Sequence, residues 1–237
     1  MILPMETTRL GQAHYPHAEA LASAVAETLG RATDAALAKS GRAVLVLAGG
    51  STPMAAYRLF AAQPRDWQRV IVLPSDERWV DAEHPARNDR AIAEAMQQAS
   101  GLQILPLVGS KAAATPGTDV AERSLSGLRK PFDCVLLGMG LDSHTASIFP
   151  GAQGVREAWD GAAAHVVTPH PLPPEAPFAR ITLGRRRLLH CSALHVMISG
   201  EAKLRVLEEA RQGGAAIERP ISGFFNAGPF TTVHWSP

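Results

Sequence analysis

Residues 141–147 read Leu-Asp-Ser-His-Thr-Ala-Ser, so Asp142, Ser143, His144, Thr145 and Ser147 crowd hydrogen-bonding and titratable groups into one short stretch. Imidazole is the side chain whose unperturbed pKa lies nearest neutrality, which suits His144 to proton transfer. The stretch follows Phe132–Leu137, a short apolar run closed by Gly138 and Gly140. Such a run reads as a buried parallel strand ending in a tight turn, and open α/β sheets hold ligands just past the carboxyl ends of their strands. The alternative is structural: a capped helix start, with Asp142 or Ser143 as N-cap and His144 in solvent.

Three further stretches carry anion chemistry. After the apolar run Ala43–Ala48 comes Gly49-Gly50-Ser51-Thr52-Pro53. A strand, a glycine turn and a helix opened by Pro53 would point unpaired amide N–H groups and the positive helix end at one place, an anion site. A plain turn with a capping serine is the other reading. After Val70–Leu73 come Pro74-Ser75-Asp76-Glu77-Arg78-Trp79, where Arg78 could clamp an anion through its planar fork or belong to a solvated loop with an ion pair. Past Ala193–Ile198 comes Ser199-Gly200-Glu201-Ala202-Lys203, which puts a lysine in a first helical turn against the helix dipole unless an anion compensates it.

Strand-like and helix-like segments alternate along the chain, the pattern of an α/β fold with a largely parallel sheet between helix layers. The spacing of Leu21, Val25, Leu29, Ala32, Ala36 and Leu37 predicts a helix over 17–39 stopped by Gly41. Further helices are expected from Met54, over 89–98, over 118–129 and from Lys203 through Leu207. Strands are expected over 103–107, 165–168 and 180–183, with Thr231–Trp235 at an edge. The proline-rich run 169–177 reads as a stiff surface loop, and the whole of 1–237 as one domain.

Twenty-three Lys and Arg against 22 Asp and Glu leave a net charge of +1, so neither nucleic acid nor a membrane surface is the expected partner. Cys134 and Cys191 supply no disulfide framework and suit reduced, buried thiols. No run reaches the roughly 18 apolar residues of a membrane span, and the opening residues show no export signal; a reducing cytoplasm is the expected compartment. No Cys/His set has metal-ligand spacing, so no metal or cofactor is expected.

The segments LAGGSTP (47–53), SDERWV (75–80), GMGLDSHTASIFPG (138–151), RITL (180–183) and SGEAKLRVL (199–207) resemble the 6-phosphogluconolactonase family, in the same order and over nearly the whole chain. The resemblance implies a single α/β domain related to sugar-phosphate isomerases. It also implies metal-independent hydrolysis of 6-phospho-D-glucono-1,5-lactone to 6-phosphogluconate in the pentose phosphate pathway. His144 matches the family's catalytic histidine, with Asp142 as its positioning partner. Arg78 would stabilise developing negative charge or hold substrate oxygens, with Asp76 orienting it. Gly49, Gly50, Ser51, Thr52 and Lys203 would hold the phosphate, with Arg180 as a further contact. The substrate partner is thus a small sugar-phosphate lactone, and the sequence leaves monomer or small homo-oligomer open.

Three positions depart from the family pattern. Ser143 replaces the usual glycine before the histidine, Asp81 a proline, and Arg87-Asn88 the family's Ser-Asn. If position 143 requires positive φ, serine is strained there by about 1–3 kcal/mol; Arg87 would face substrate or solvent. Two other functions compete. Amino-sugar-phosphate deaminases or isomerases share the fold and a similar histidine segment, but continue with Ala-Phe-Asn-Glu-Pro, where this chain has Thr145-Ala146-Ser147-Ile148-Phe149-Pro150. A sugar-phosphate sensor without turnover would normally carry a DNA-binding segment, and no basic patch suggests one. A dinucleotide site at GMGLDS lacks the third glycine.

Overall fold

In a computed structural model, residues 10–128, 131–152, 154–160, 166–167, 176–213, 217–225 and 227–237 are described. The 23-residue helix α1 (Ala18–Ser40) follows strand β1 (Leu10–His14) and buries Leu21, Val25, Leu29 and Ala36 along one stripe. Its end is set by Gly41, at φ 72, whose N–H donates to Leu37 O. Such a left-handed C-cap costs glycine little. Next come β2 (Ala43–Leu47), α2 (Met54–Ala61), β3 (Val70–Pro74), β4 (Asp76–Arg78), α3 (Asn88–Ala95), β5 (Gln103–Ile104) and α4 (Asp119–Ser126). The chain continues through β6 (Cys134–Leu137), α5 (Val155–Asp160), β7 (Val166–Val167), β8 (Arg180–Leu183), α6 (Arg185–Leu189), β9 (Leu194–Ser199), α7 (Glu201–Gln212) and β10 (Thr231–Ser236).

Seven strands form one sheet in the order β1-β10-β9-β6-β2-β3-β5, and every pairing in it is parallel. Because successive side chains on a strand point to opposite faces, each inner strand feeds two cores. Ala43, Leu45, Leu47, Val70, Val72, Cys134 and Leu136 pack beneath α1, α2 and α3. Val44, Val46, Ile71, Leu73, Val135 and Leu137 pack against apolar residues of α4, α5, α6 and α7. These three layers are the architecture that the alternating sequence predicts.

The chain steps outward from β2 to β3 and β5 on one side, and from β6 to β9 on the other. The change of direction lies between β2 and β6, where strand ends part and leave a crevice. Both glycine turns, at 49–50 and 138–140, follow these two strands.

Several expectations change. Thr231–Trp235 is no edge: β10 lies between β9 and β1, and β1, which sequence reading missed, takes the edge. The charged residues after β3 are not a loop either. Asp76–Arg78 forms β4 of a second, antiparallel sheet, ordered β4-β8-β7, in which β8 is the expected strand 180–183. No helix starts after Asp142, since residues 141–150 form turns with an isolated Thr145–Ile148 bridge. Cys134 is buried as expected, whereas Cys191 is partly exposed. Most of the run 169–177, the first nine residues and part of the expected strand 165–168 lie outside the described residues. Among the described residues, no helix is long and apolar enough to cross a membrane.

Candidate active site

At the crevice lies a cavity of about 280 Å³, and Gly49, Gly50, Ser51, Thr52, Asp76, Arg78, His144 and Lys203 all line it. Four separate strand ends, those of β2, β3, β6 and β9, deliver these residues. Two expected site residues stand behind the wall: Asp142 beyond His144, and Arg180 across the β4/β8 pairing from Arg78.

The histidine loop is held by its own backbone. Gly140 N–H donates to His144 O, Ser143 N–H to Gly140 O, and Ile221 N–H to Ser143 O, at 2.9–3.1 Å. The Thr145 hydroxyl donates to Gly138 O at 2.8 Å. This net imposes φ 66 on Ser143 and φ 49 on Ala146. Left-handed backbone costs a residue with a side chain about 1–2 kcal/mol, so position 143 is the strained one that the missing glycine implies. Gly140 must stay bare, because a Cβ there would overlap the His144 ring and the Asp142 carboxylate.

Asp142 Oδ1 lies 2.5 Å from His144 Nδ1 and also accepts the His144 backbone N–H. A carboxylate on Nδ1 keeps the proton on that nitrogen and leaves the Nε2 lone pair for a ligand. Burial raises the Asp142 carboxyl, but the hydrogen bond and charge of the His144 ring outweigh it and hold the group below the usual carboxylate range. Phe149 supports the imidazole from the side, with ring centroids 4.4 Å apart.

Arg78 is aimed differently from the expectation that Asp76 orients it. Its Nη1 donates to Ala86 O at 2.6 Å and to Asn88 Oδ1 at 2.8 Å. Asp76 instead accepts the Ser75 and Ser147 hydroxyls, at 2.9 and 2.5 Å. Asn88, which sequence reasoning did not place in the site, lines the cavity and donates to Asp76 O at 2.7 Å. Its amide fills the space a Cβ on Gly49 would need, so that glycine is required by close approach as well as by the turn.

Arg87 faces neither substrate nor solvent. It is 1% exposed, and its side chain donates to Asp89 and to the carbonyls of Val80, Val108 and Gly109. Glu77, fully buried beside it, accepts the N–H groups of Arg78, Asn88 and Asp89 at 2.7–2.8 Å.

The cavity lining that follows β2 and β9 is less wired. Gly50 sits at φ 84, α2 begins at Pro53 with no side chain capping it, and the Ser51 and Thr52 hydroxyls are engaged by no other described residue. Lys203 occupies the first turn of α7, and burial alone holds its ammonium below the usual range. A half-buried cation with no partner among the described residues and an uncapped helix start around one cavity fit an anionic group. Arg180 is 7% exposed, its Nη1 has no partner among the described residues, and burial followed by the Arg78 charge lowers its pKa. Among the described residues, no three His, Cys, Asp or Glu side chains cluster to hold a metal ion.

The chain matches a family model described as glucosamine-6-phosphate isomerases/6-phosphogluconolactonase over residues 16–235. A 6-phosphogluconolactonase of Rhizobium meliloti is 33% identical over 228 residues, covering 94% of this chain and 97% of that one. One of Pseudomonas aeruginosa is 33% identical, covering 93% and 92%. The crystal structure of a 6-phosphogluconolactonase from Shewanella baltica superposes with a TM-score of 0.90 at 32% identity, covering 96% of this chain and 98% of that one. A monomeric glucosamine-6-phosphate deaminase, 19% identical with a TM-score of 0.77, shares the fold. Matched along nearly its whole length, the chain belongs to the glucosamine-6-phosphate isomerase/6-phosphogluconolactonase family, and within it to the 6-phosphogluconolactonases.

Proposed function

We propose that this chain hydrolyses 6-phospho-D-glucono-1,5-lactone to 6-phospho-D-gluconate, with His144 as general base. The observation that carries this reading is the Asp142–His144 pair, 2.5 Å apart, at a cavity that is also lined by Lys203, a cation with no partner among the described residues. The Gly49–Thr52 turn, the start of α2 and Lys203 bind the phosphate and thereby fix the lactone C1 near the imidazole. Nε2 of His144 takes a proton from water as the hydroxyl oxygen bonds to C1, and Asp142 stabilises the imidazolium that forms. Charge gathers on the former carbonyl oxygen, where Arg78 is the available donor. Collapse breaks the bond from C1 to the ring oxygen, the imidazolium returns its proton to that oxygen, and the new carboxylic acid ionises.

The loop after His144 argues against the deaminase reading. Residues 145–150 place no carboxylate beside the histidine, and the Ser147 hydroxyl is committed to Asp76. The reading extends to a metal-independent cytoplasmic enzyme of the pentose phosphate pathway, folded as one domain. Hydrolysis of freshly generated lactone, followed as acid release with and without chelator, tests it. The expected result is a chelator-resistant rate well above the spontaneous one. A rate equal to background, with 6-phosphogluconate still bound, would replace the lactonase with a sugar-phosphate sensor.

A further inference from the structure

We propose that Arg87 is a positioning residue for Arg78, the pin between the two acceptors that aim its guanidinium at the cavity. This rests on the lactonase reading, because it is Arg78 at the reacting carbon that gives the pin a catalytic effect. Arg78 Nη1 donates to Ala86 O and to Asn88 Oδ1, so its direction is set by the residues immediately before and after position 87. The Asn88 amide is turned by its own bond to Asp76 O at 2.7 Å and the Ala86 N–H is met by His84 Nδ1 at 3.1 Å, but the backbone that carries both acceptors runs through position 87.

Arg87 fixes both. Its guanidinium spends all five N–H donors inside the protein, two on the Asp89 carboxylate, two on Val80 O and Gly109 O, and one on Val108 O. Those acceptors come from three separate places: the segment after β4, the loop after β5, and the first turn of α3. One side chain therefore staples the 79–87 loop to the 108–109 turn, with the Ala86 carbonyl on its near side. The other half of the device is electrostatic. Glu77 is buried under the same staple and clamps the backbone N–H groups of Arg78 and Asn88 through one oxygen. Arg87 Nε, 3.6 Å from Glu77 Oε2, adds a close cation to a buried carboxylate that already accepts three backbone N–H groups and interacts with the Arg180 charge. Without it, the clamp on both ends of the Arg78 cradle loosens together. An ordinary buried strut would hold the fold; this one has both acceptors of a cavity-lining arginine as its sequence neighbours.

The test is a double-mutant cycle of Arg87→Met and Arg78→Ala, read on kcat and on the Kd of 6-phosphogluconate. If Arg87 works through Arg78, Arg87→Met lowers kcat about tenfold or more in the wild-type background and less than about threefold once Arg78 is gone. KM changes less than kcat, since the Arg87 side chain bonds to no residue of the Gly49–Thr52 turn and not to Lys203. Equal fold losses in both backgrounds, or a loss confined to thermal stability with kcat unchanged, would overturn the proposal. Should Arg87→Met fail to fold, Arg87→Lys takes its place in the cycle; it keeps the charge beside Glu77 but lacks the fork, and the same criterion decides. A wild type that binds 6-phosphogluconate without turnover would sink the lactonase reading and this proposal with it, whereas equal losses in an active wild type would sink this proposal alone.

Discussion

The cavity is walled by two sets of residues built in opposite ways, those that follow β2 and β9 and those on β4 and after β6. In the first set, the Ser51 and Thr52 hydroxyls and the Lys203 ammonium have no partners among the described residues. In the second set each functional side chain is already engaged: His144 with Asp142, Arg78 with Ala86 and Asn88, Asp76 with Ser75 and Ser147. Groups that bind a phosphate act about equally on substrate and transition state, so they gain from being free to meet the ligand. Groups that act on the reacting carbon gain from being fixed beforehand, because reorganisation during the reaction would raise the barrier. The difference predicts that one wall sets KM and the other kcat.

The largest effect is expected from His144→Ala, a fall in kcat of about 10²–10⁴-fold. Asp142→Asn should follow at about 10–100-fold in kcat with KM little changed, because the amide keeps the size of the carboxylate but not the charge that stabilises the imidazolium. Steady-state kinetics that showed KM rising instead would assign Asp142 to binding. Lys203→Ala should act the other way, raising KM about tenfold and leaving kcat within about threefold. A matching fall in kcat would erase the division between the walls.

Acid inactivation needs separating from chemistry, since titratable groups that do not line the cavity also shift. Tyr15 Oη, His234 and His195 form a chain at 3.0 and 3.1 Å, and burial pushes both histidines down to about 4. Between 6.5 and 4 the unfolded chain carries protons on these groups that the folded chain does not, so stability must fall as pH falls, by about 1.4 kcal/mol per unit for each histidine. Thermal unfolding across that range checks the sign: Tm should drop toward acid, and less steeply in His195→Gln. A Tm flat from pH 7 to 4 would contradict it. The smallest effect belongs to Ser143→Gly, which exchanges left-handed strain for chain entropy and should stabilise by about 1 kcal/mol or less while leaving kcat within about twofold.

What the sequence disclosed and what it hid divide along local and non-local lines. β2, β3, β6 and β9 are legible because strands covered on both faces are continuous apolar runs, and α1 because its stripe repeats from Leu21 to Ala36. β1, Leu-Gly-Gln-Ala-His, carries no such signal, since an edge strand needs no apolar run. β10 has the composition of any strand, and its interior place depends on that unseen neighbour. Asp76-Glu77-Arg78 looks like a loop because three charges rarely sit in a strand. Here Ser147, the start of α3 and Asn88 satisfy them, partners from 10 to 71 residues away. Arg87 gave the same false signal, since its acceptors at 108 and 109 lie more than twenty positions on. His144, Lys203 and the Gly49–Thr52 turn were visible because each stands at a strand end that its own local pattern announces.

The most direct measurement is the 6-phosphogluconate Kd of His144→Ala, taken beside its kcat. With one wall binding and the other reacting, turnover should fall by about 10²-fold or more while Kd stays within about threefold of wild type. A Kd that rises in step with the loss of turnover would place His144 among the binding groups, and the division of the cavity into two walls would be wrong.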